Sequence, residues 1–363
     1  MRTAAIVGTG LIGTSIALAL RAAGVGTHLI DVDPVAARTA EALGAGTTRP
    51  PPDVVDIAVL AVPPTQVAPV LAASQKEGLA RCYTDVASVK SLPRRETEAL
   101  GCDLASVVGG HPLAGGERSG PLTARADLFD GRPWVLVPSR TSSTLALNCA
   151  LELVALCGAT PVLLDAEVHD RALAMVSHAP HLISSLAAAR LLEADESALR
   201  LAGQGLRDVT RDAGGSPALW ADVLAANAGP VAAVLDAFAA DVREAADGLR
   251  ELASGCDEET GRAGGAGLVE SLQRGVDGRS AIPGKYGVPQ SAFSAVEVTV
   301  GDSPGELAHL LGDVAAAGFN IEDVDIEHST DHRAGRVRVF VVRERVRDLA
   351  AELRLRNWAV QSC

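Results

Sequence analysis

The chain has 363 residues, 48% of them hydrophobic, and a formal net charge of −13. That length predicts two or three domains rather than one core, and the acidic balance speaks against a surface built to neutralise nucleic-acid phosphates. Six cysteines without a CxxC pair give no sign of a zinc knuckle or a disulfide framework. No stretch reads as a membrane span, and a glycine loop within ten residues of the start leaves no room for a signal peptide. The expectation is a cytoplasmic protein with no nucleic-acid partner, no membrane and no metal.

Short apolar runs bounded by turn residues alternate with helical patterns through residues 1–166. They are Ala4 to Val7, His28 to Val32, Ile57 to Val62, Cys82 to Val86, Ser106 to Gly109, Trp134 to Val137 and Pro161 to Leu164. This order predicts βαβ units and a largely parallel sheet. Residues 167–253 lose the strand signal. There Val231, Val234, Leu235, Phe238, Val242, Ala245, Leu249 and Leu252 recur at helical spacing, which predicts an all-helical domain with a stripe suited to packing or a dimer seam. Residues 254–290, rich in Gly, Arg, Asp and Glu, read as a linker. Residues 291–363 read βαββαβ, a small ferredoxin-like sandwich.

The first turn carries chemistry. VGTGLIGTS spaces Gly8, Gly10 and Gly13 as GxGxxG after a strand and at the opening of a helix, with Leu11 and Ile12 between. The glycines serve a tight turn, close approach of a pyrophosphate and helix-to-strand packing in turn, and N–H groups at the helix start bind the phosphates. Asp31 stands about twenty residues on, placed to accept from ribose hydroxyls and to repel a 2′-phosphate. NAD is therefore the expected cofactor. Val62, Pro63 and Thr65, after the third strand, are candidates to wall the nicotinamide.

Two further strand ends bring polar groups to the same carboxyl edge: DVASVK with Ser88, and GGHPLAGGE with His111 and Glu117. An imidazole there can take a proton near neutral pH, and a serine within reach can fix which ring nitrogen carries it. In the helical region His178 and His181 lie three apart around Pro180, and Arg207, Asp208 and Arg211 precede Trp220. Arg211 offers the planar fork that suits a carboxylate.

The motifs VGTGLIGTS, DVASVK, GGHPLAGGE, HDRALAMVSHAPH and LRDVTRDAGGSPALW, in that order, resemble the prephenate and arogenate dehydrogenase family of tyrosine biosynthesis. The C-terminal βαββαβ unit is similar to an ACT regulatory domain. The resemblance implies a Rossmann-type dinucleotide-binding domain, an all-helical dimerisation domain and an ACT domain, in a homodimer. It implies NAD-dependent oxidative decarboxylation of prephenate to 4-hydroxyphenylpyruvate, or of arogenate to tyrosine, with prephenate favoured. His111 would deprotonate the ring hydroxyl, with Ser88 holding it. Arg211 would bind a substrate carboxylate, and His178, His181, Arg207, Asp208, Trp220 and Glu117 would shape the pocket. Asp302, Ser303, Pro304, Gly305, Asn320 and Ile321 would line a site for tyrosine or another aromatic amino acid as effector.

Overall fold

In the computed structural model the described residues are 1–115, 120–254, 258–283, 292–328 and 334–361. The first seven strands are β1 (Thr3–Val7), β2 (Gly26–Ile30), β3 (Val55–Leu60), β4 (Ala80–Asp85), β5 (Val108–Pro112), β6 (Pro133–Pro138) and β7 (Thr160–Leu163). Helices α1 (Leu11–Ala22), α2 (Pro34–Ala42), α3 (Val67–Lys76), α4 (Ser91–Ala99) and α5 (Thr144–Leu156) connect them. Four strands pair in parallel in the order β2-β1-β3-β4, and a parallel bridge from Tyr83 to Val107 carries the sheet on to β5-β6-β7. The sheet is largely parallel, as expected from sequence, with one exception: β5 and β6 are antiparallel. Among its described residues the segment between them holds one short 3-10 turn, Pro121–Thr123, and no α-helix that could serve as a crossover.

Alternation along the strands sends residues to opposite faces. Ile6, Ile57 and Val59 join Ile16 and Leu20 of α1 in one core, while Ala5, Ala58 and Leu60 join Val67 and Leu71 of α3 in another. Strands buried on both faces read as continuous apolar runs, which is why they were legible as parallel strands. Local chemistry sets the helix starts: the Asp33 carboxylate accepts from Val35 N–H at 2.8 Å, and the Ser143 hydroxyl from Ala146 N–H at 3.2 Å.

After the sheet, α6 (Ala166–Leu173) runs through one π-helical turn, Ala174–His178, into α7 (Ala179–Arg190). Pro180 falls in the first turn of α7, where its missing N–H costs least, and the wide turn before it absorbs the shift in register. This continuous helix does contain an apolar stretch of membrane-span length, against the expectation of none. A third of that stretch is buried within the fold, and the helix carries the buried His169, Asp170, His178 and His181. Helices α8 (Glu196–Arg200), α9 (Gln204–Thr210), α10 (Pro217–Ala226) and α11 (Ala228–Ser254) follow.

Residues 258–280, expected as linker, form helix α12 (Glu258–Ser280). Its glycines hid the stripe of Val269, Leu272 and Val276, spaced three and four apart, and Arg274 reaches Asp241 of α11 at 3.6 Å. Last come β8 (Phe293–Gly301), α13 (Glu306–Ala316), β9 (Asp323–His328), β10 (Ala334–Val342), α14 (Val346–Leu355) and β11 (Ala359–Val360). These strands form an antiparallel sheet in the order β11-β8-β10-β9, the expected βαββαβ arrangement. Its core is Val296, Val298, Leu310, Val339 and Leu349.

Compact units follow borders different from the predicted ones. One comprises residues 1–199 and 209–237, and the other residues 200–208 and 238–363. The histidine-bearing helix, Arg211, Trp220 and the start of α11 thus fall in the unit that holds the seven-stranded region, and Val231 of α11 is buried against Ala174 and Ala179 of that helix.

Candidate active site

The glycine turn is built as its spacing requires. Gly8 has φ of +99°, and a Cβ on it would stand 2.1 Å from the Ala61 carbonyl oxygen. A Cβ on Gly13 would stand 1.9 Å from the Gly8 carbonyl oxygen, so only hydrogen there lets α1 close on the turn. A Cβ on Gly10, in contrast, meets nothing within 4 Å. That opening, at the N-terminus of α1, fits a dinucleotide pyrophosphate. Leu11 and Ile12 are partly buried against the core. Asp31 lies at the end of β2, where one carboxylate oxygen accepts from Thr9 N–H at 2.6 Å and from the Thr9 hydroxyl at 2.8 Å. Val62 packs partly into the core, while Pro63 and Thr65 are exposed beyond β3.

His111 is not in a loop after a strand. It is the fourth residue of β5, paired with Val135 of β6. The flanking glycines serve the strand: a Cβ on Gly110 would stand 2.6 Å from the Asp85 carbonyl oxygen. Its Nδ1 lies 2.9 Å from His169 Nε2, and His169 Nδ1 lies 2.8 Å from Asp170 Oδ1. The ring partner expected of Ser88 is therefore His169; among the described residues no hydrogen bond joins Ser88 to His111. Ser88 is half-buried in the turn after β4, whereas α6 projects its histidine straight at the β5 ring. Burial, helped by the positive field of Lys90, holds the His111 imidazole well below its ordinary pKa, so the ring is neutral at physiological pH with a lone pair free to accept a proton.

Lys90 is buried beneath this strand. Its ammonium donates to Asp85 Oδ1 and to the Gly110 carbonyl at 2.5 Å. Asp170 in turn accepts from the backbone N–H groups of Lys90 and Ser91, each at 2.8 Å. Burial disfavours the Asp170 carboxylate, but hydrogen bonds from His169, Ser91 and Lys90 outweigh it and hold the pKa at about 2.

His178 and His181 are both buried, 1% and 8% exposed. His178 Nδ1 lies 3.0 Å from the Asn227 amide nitrogen, which also donates to the Asp170 carbonyl at 2.8 Å. His181 stacks on Trp220 with centroids 3.6 Å apart and planes 11° apart, and the same indole meets His178 edge-on at 6.3 Å. Arg211 opens the turn before α10, is exposed, and lies 3.6 Å from Asp212. Arg207 and Asp208 belong to the second unit, where Gln204 donates to Asp208 at 2.9 Å. Glu117 lies outside the described residues.

In the second unit, the turn holding Asp302, Ser303, Pro304 and Gly305 leads into α13, with Gly305 at φ of +94°. Asn320 donates to Glu322 at 2.6 Å, and Ile321 packs against the small sheet's core.

Four members of the site escaped sequence reasoning: His169, Asp170, Asn227 and the Asp85 partner of Lys90. The dipeptide His169-Asp170 opens one of the motifs quoted above, but an adjacent pair on a helix has no spacing that signals a site. Among the described residues no group of three or more His, Cys, Asp or Glu side chains is placed to hold a metal.

A glycine turn open to a pyrophosphate, an acid on the next strand and a neutral imidazole at the carboxyl edge of one sheet define the class of dinucleotide-dependent dehydrogenases. Comparison with known proteins narrows it. Residues 16–163 match the model of the prephenate dehydrogenase nucleotide-binding domain, and residues 165–260 that of the prephenate dehydrogenase dimerization domain. The chain is 51% identical to "Probable prephenate dehydrogenase NovF" of Streptomyces niveus over the whole of both proteins. It is 28% identical to prephenate dehydrogenase of Bacillus subtilis, covering 93% of this chain and 91% of that one. The crystal structure of Aquifex aeolicus prephenate dehydrogenase with hydroxyphenyl propionate and NAD⁺ superposes with a TM-score of 0.65 at 26% identity, over 77% of this chain and 97% of that one. The chain belongs to the prephenate dehydrogenase family.

Proposed function

We propose that the protein is an NAD-dependent prephenate dehydrogenase, converting prephenate to 4-hydroxyphenylpyruvate and CO₂. The observation that carries this reading is the neutral, part-buried His111 at the carboxyl edge of the sheet that bears the glycine turn. Bound NAD⁺ supplies the hydride acceptor. Gly8, Gly10 and Gly13 with Leu11 and Ile12 would hold its pyrophosphate, Asp31 its ribose, and Val62, Pro63 and Thr65 would border the nicotinamide.

His111 takes the proton of the ring hydroxyl as hydride leaves the same carbon, since charge growing on oxygen drives the hydride out. The ring carboxylate then departs as CO₂, its electrons make the ring aromatic, and His111 returns the proton to the phenolate. Arg211 pairs with a substrate carboxylate, exposed as a fork at the turn before α10. Ser88 contacts the hydroxyl, and His178, His181 and Trp220 wall the ring. Arg207, Asp208 and Glu117 are the further substrate-binding residues that the family resemblance implies.

The exposed stripe of Phe238, Val242, Leu249 and Leu252 on α11 supports a homodimer. The C-terminal βαββαβ unit acts as an ACT domain that takes tyrosine at the 302–305 turn, Asn320 and Ile321 and lowers activity. We place the enzyme in the cytoplasm. The test is NADH formation with prephenate and with arogenate, using NAD⁺ and NADP⁺, with and without tyrosine. Prephenate and NAD⁺ give the fastest rate and tyrosine lowers it; no turnover of prephenate overturns the reading.

A further inference from the structure

We infer that Asp170 and His169 form a positioning pair that holds His111 in the tautomer bearing its proton on Nδ1, leaving Nε2 bare to accept the substrate proton. This rests on the reading of His111 as base.

The argument follows the hydrogen atoms. The Asp170 carboxylate receives three donors, the backbone N–H of Lys90 and of Ser91 and the ring of His169. An ionised carboxylate can only accept, so His169 Nδ1 must carry a proton. A neutral His169 then presents a bare Nε2, and the 2.9 Å contact from that atom to His111 Nδ1 closes only if His111 Nδ1 is the donor. The lone pair left on His111 is on Nε2. The opposite order would set two N–H groups, or two lone pairs, against each other in a buried place, which is costly.

The pair is itself held. Asp170 is anchored to the start of α4 by the two backbone donors, and its carbonyl accepts from Asn227 at the junction of α10 and α11. His169 is fully buried and Asp170 is 2% exposed. Both ring nitrogens of His169 are thereby engaged, one by Asp170 and the other by His111.

The groups facing His111 are Lys90 after β4, His169 and Asp170 on α6 and His178 in the π-helical turn. The first, second and fourth disfavour its protonation and Asp170 favours it. Loss of the Asp170 charge therefore has a signature that damage to packing lacks. In Asp170→Asn the maximal rate falls about 10²-fold or more, since loss of a tautomer-fixing carboxylate costs up to about 10⁴-fold in a hydrolase triad. The acid limb of kcat/KM moves to lower pH, and affinity for NADH stays as in the wild type. The double variant His111→Asn with Asp170→Asn is no slower than His111→Asn alone, because the pair acts through that ring. His169→Gln, whose side-chain oxygen can still accept from His111 Nδ1, is faster than His169→Ala.

If Asp170→Asn keeps the wild-type rate and acid limb while His111→Asn is inactive, the positioning pair is overturned and the base survives. A near-normal rate in His111→Asn overturns both. Additive losses in the double variant, or equal rates in His169→Gln and His169→Ala, reduce the pair to scaffolding and likewise overturn it.

Discussion

The Asp31 carboxylate is bonded twice to Thr9, through its backbone N–H at 2.6 Å and its hydroxyl at 2.8 Å. The acid we propose for the ribose thus also braces the glycine turn from the end of β2. Asp31→Asn removes a charge-assisted acceptor worth about 1.5–3 kcal/mol and raises KM for NAD⁺ roughly ten- to hundredfold, with kcat little changed. Thr9→Val, which loses only the hydroxyl, gives a smaller rise. Steady-state kinetics with NAD⁺ and NADP⁺ check this, and equal turnover of both by the wild type contradicts the role of Asp31.

Gly10 and Gly13 separate binding from folding. Gly13→Ala forces a methyl to within 1.9 Å of the Gly8 carbonyl, an overpacking that costs about 1–3 kcal/mol or more and lowers the thermal midpoint. Gly10→Ala meets no protein atom within 4 Å and leaves that midpoint unchanged, while weakening NADH in a fluorescence titration. The reverse pattern in the two measurements refutes the assignment of the opening at Gly10 to the pyrophosphate.

His111→Asn lowers kcat by roughly 10²–10⁴-fold with NADH affinity intact. Burial sets the His111 pKa well below 6.5, so wild-type kcat/KM stays flat through pH 6.5 and falls only in more acid solution. Stability has the same sign. The unfolded chain takes up a proton near 6.5 that the folded one refuses, so folded stability is full above that pH and is lost as pH falls toward the depressed folded value. His178, lowered chiefly by burial, adds to the loss. Urea unfolding at successive pH values should show a shallower acid loss for His111→Asn than for the wild type.

Lys90 and Asp85 form a buried ion pair, 3% and 6% exposed, with the same ammonium on the Gly110 carbonyl beside His111. Burial pulls the Lys90 pKa down while Asp85 pulls it up. Asp85→Ala leaves a buried cation without its anion and should destabilise the fold by about 3–5 kcal/mol in urea titration. Lys90→Met with Asp85→Leu costs less than either single change, since no charge is then stranded. Equal or greater loss in the double variant would speak against the pair as the cause.

Trp220→Leu removes the stack on His181, an interaction of about 0.5–1.5 kcal/mol beyond burial, and should raise KM for prephenate several-fold with kcat nearly constant. Gly215→Ala tests the same contact from behind, because its Cβ would stand 2.7 Å from Trp220 Nε1. A KM unchanged in both variants contradicts a substrate-facing Trp220.

Much of the sheet was readable in order. Residues Ala4 to Val7 and Ile57 to Val62 could be placed as strands because both of their faces are buried, and the GxGxxG turn because each glycine answers a local steric demand. The C-terminal βαββαβ order was equally local. Helix α12 was missed because its glycines masked a stripe of only three apolar residues. The antiparallel step from β5 to β6 was missed because strand direction depends on the connection, not on the strand's own residues.

The sequence alone determined the nucleotide turn, the acid at Asp31 and the presence of a titratable ring at His111, since these depend on backbone conformation within a few residues. Only the tertiary structure decided which side chain stands against the His111 ring. Its partner stands 58 residues away on α6, and no periodicity in the chain links a strand position to a helix position. Ser88 was the nearer guess in sequence; the packing of α6 against the sheet edge, fixed by Asp170 on the α4 turn and by Asn227, put His169 there instead. Hydrogen-bond direction in a buried chain is a property of all its members together, and it exists only once folding has brought them within 3 Å of one another.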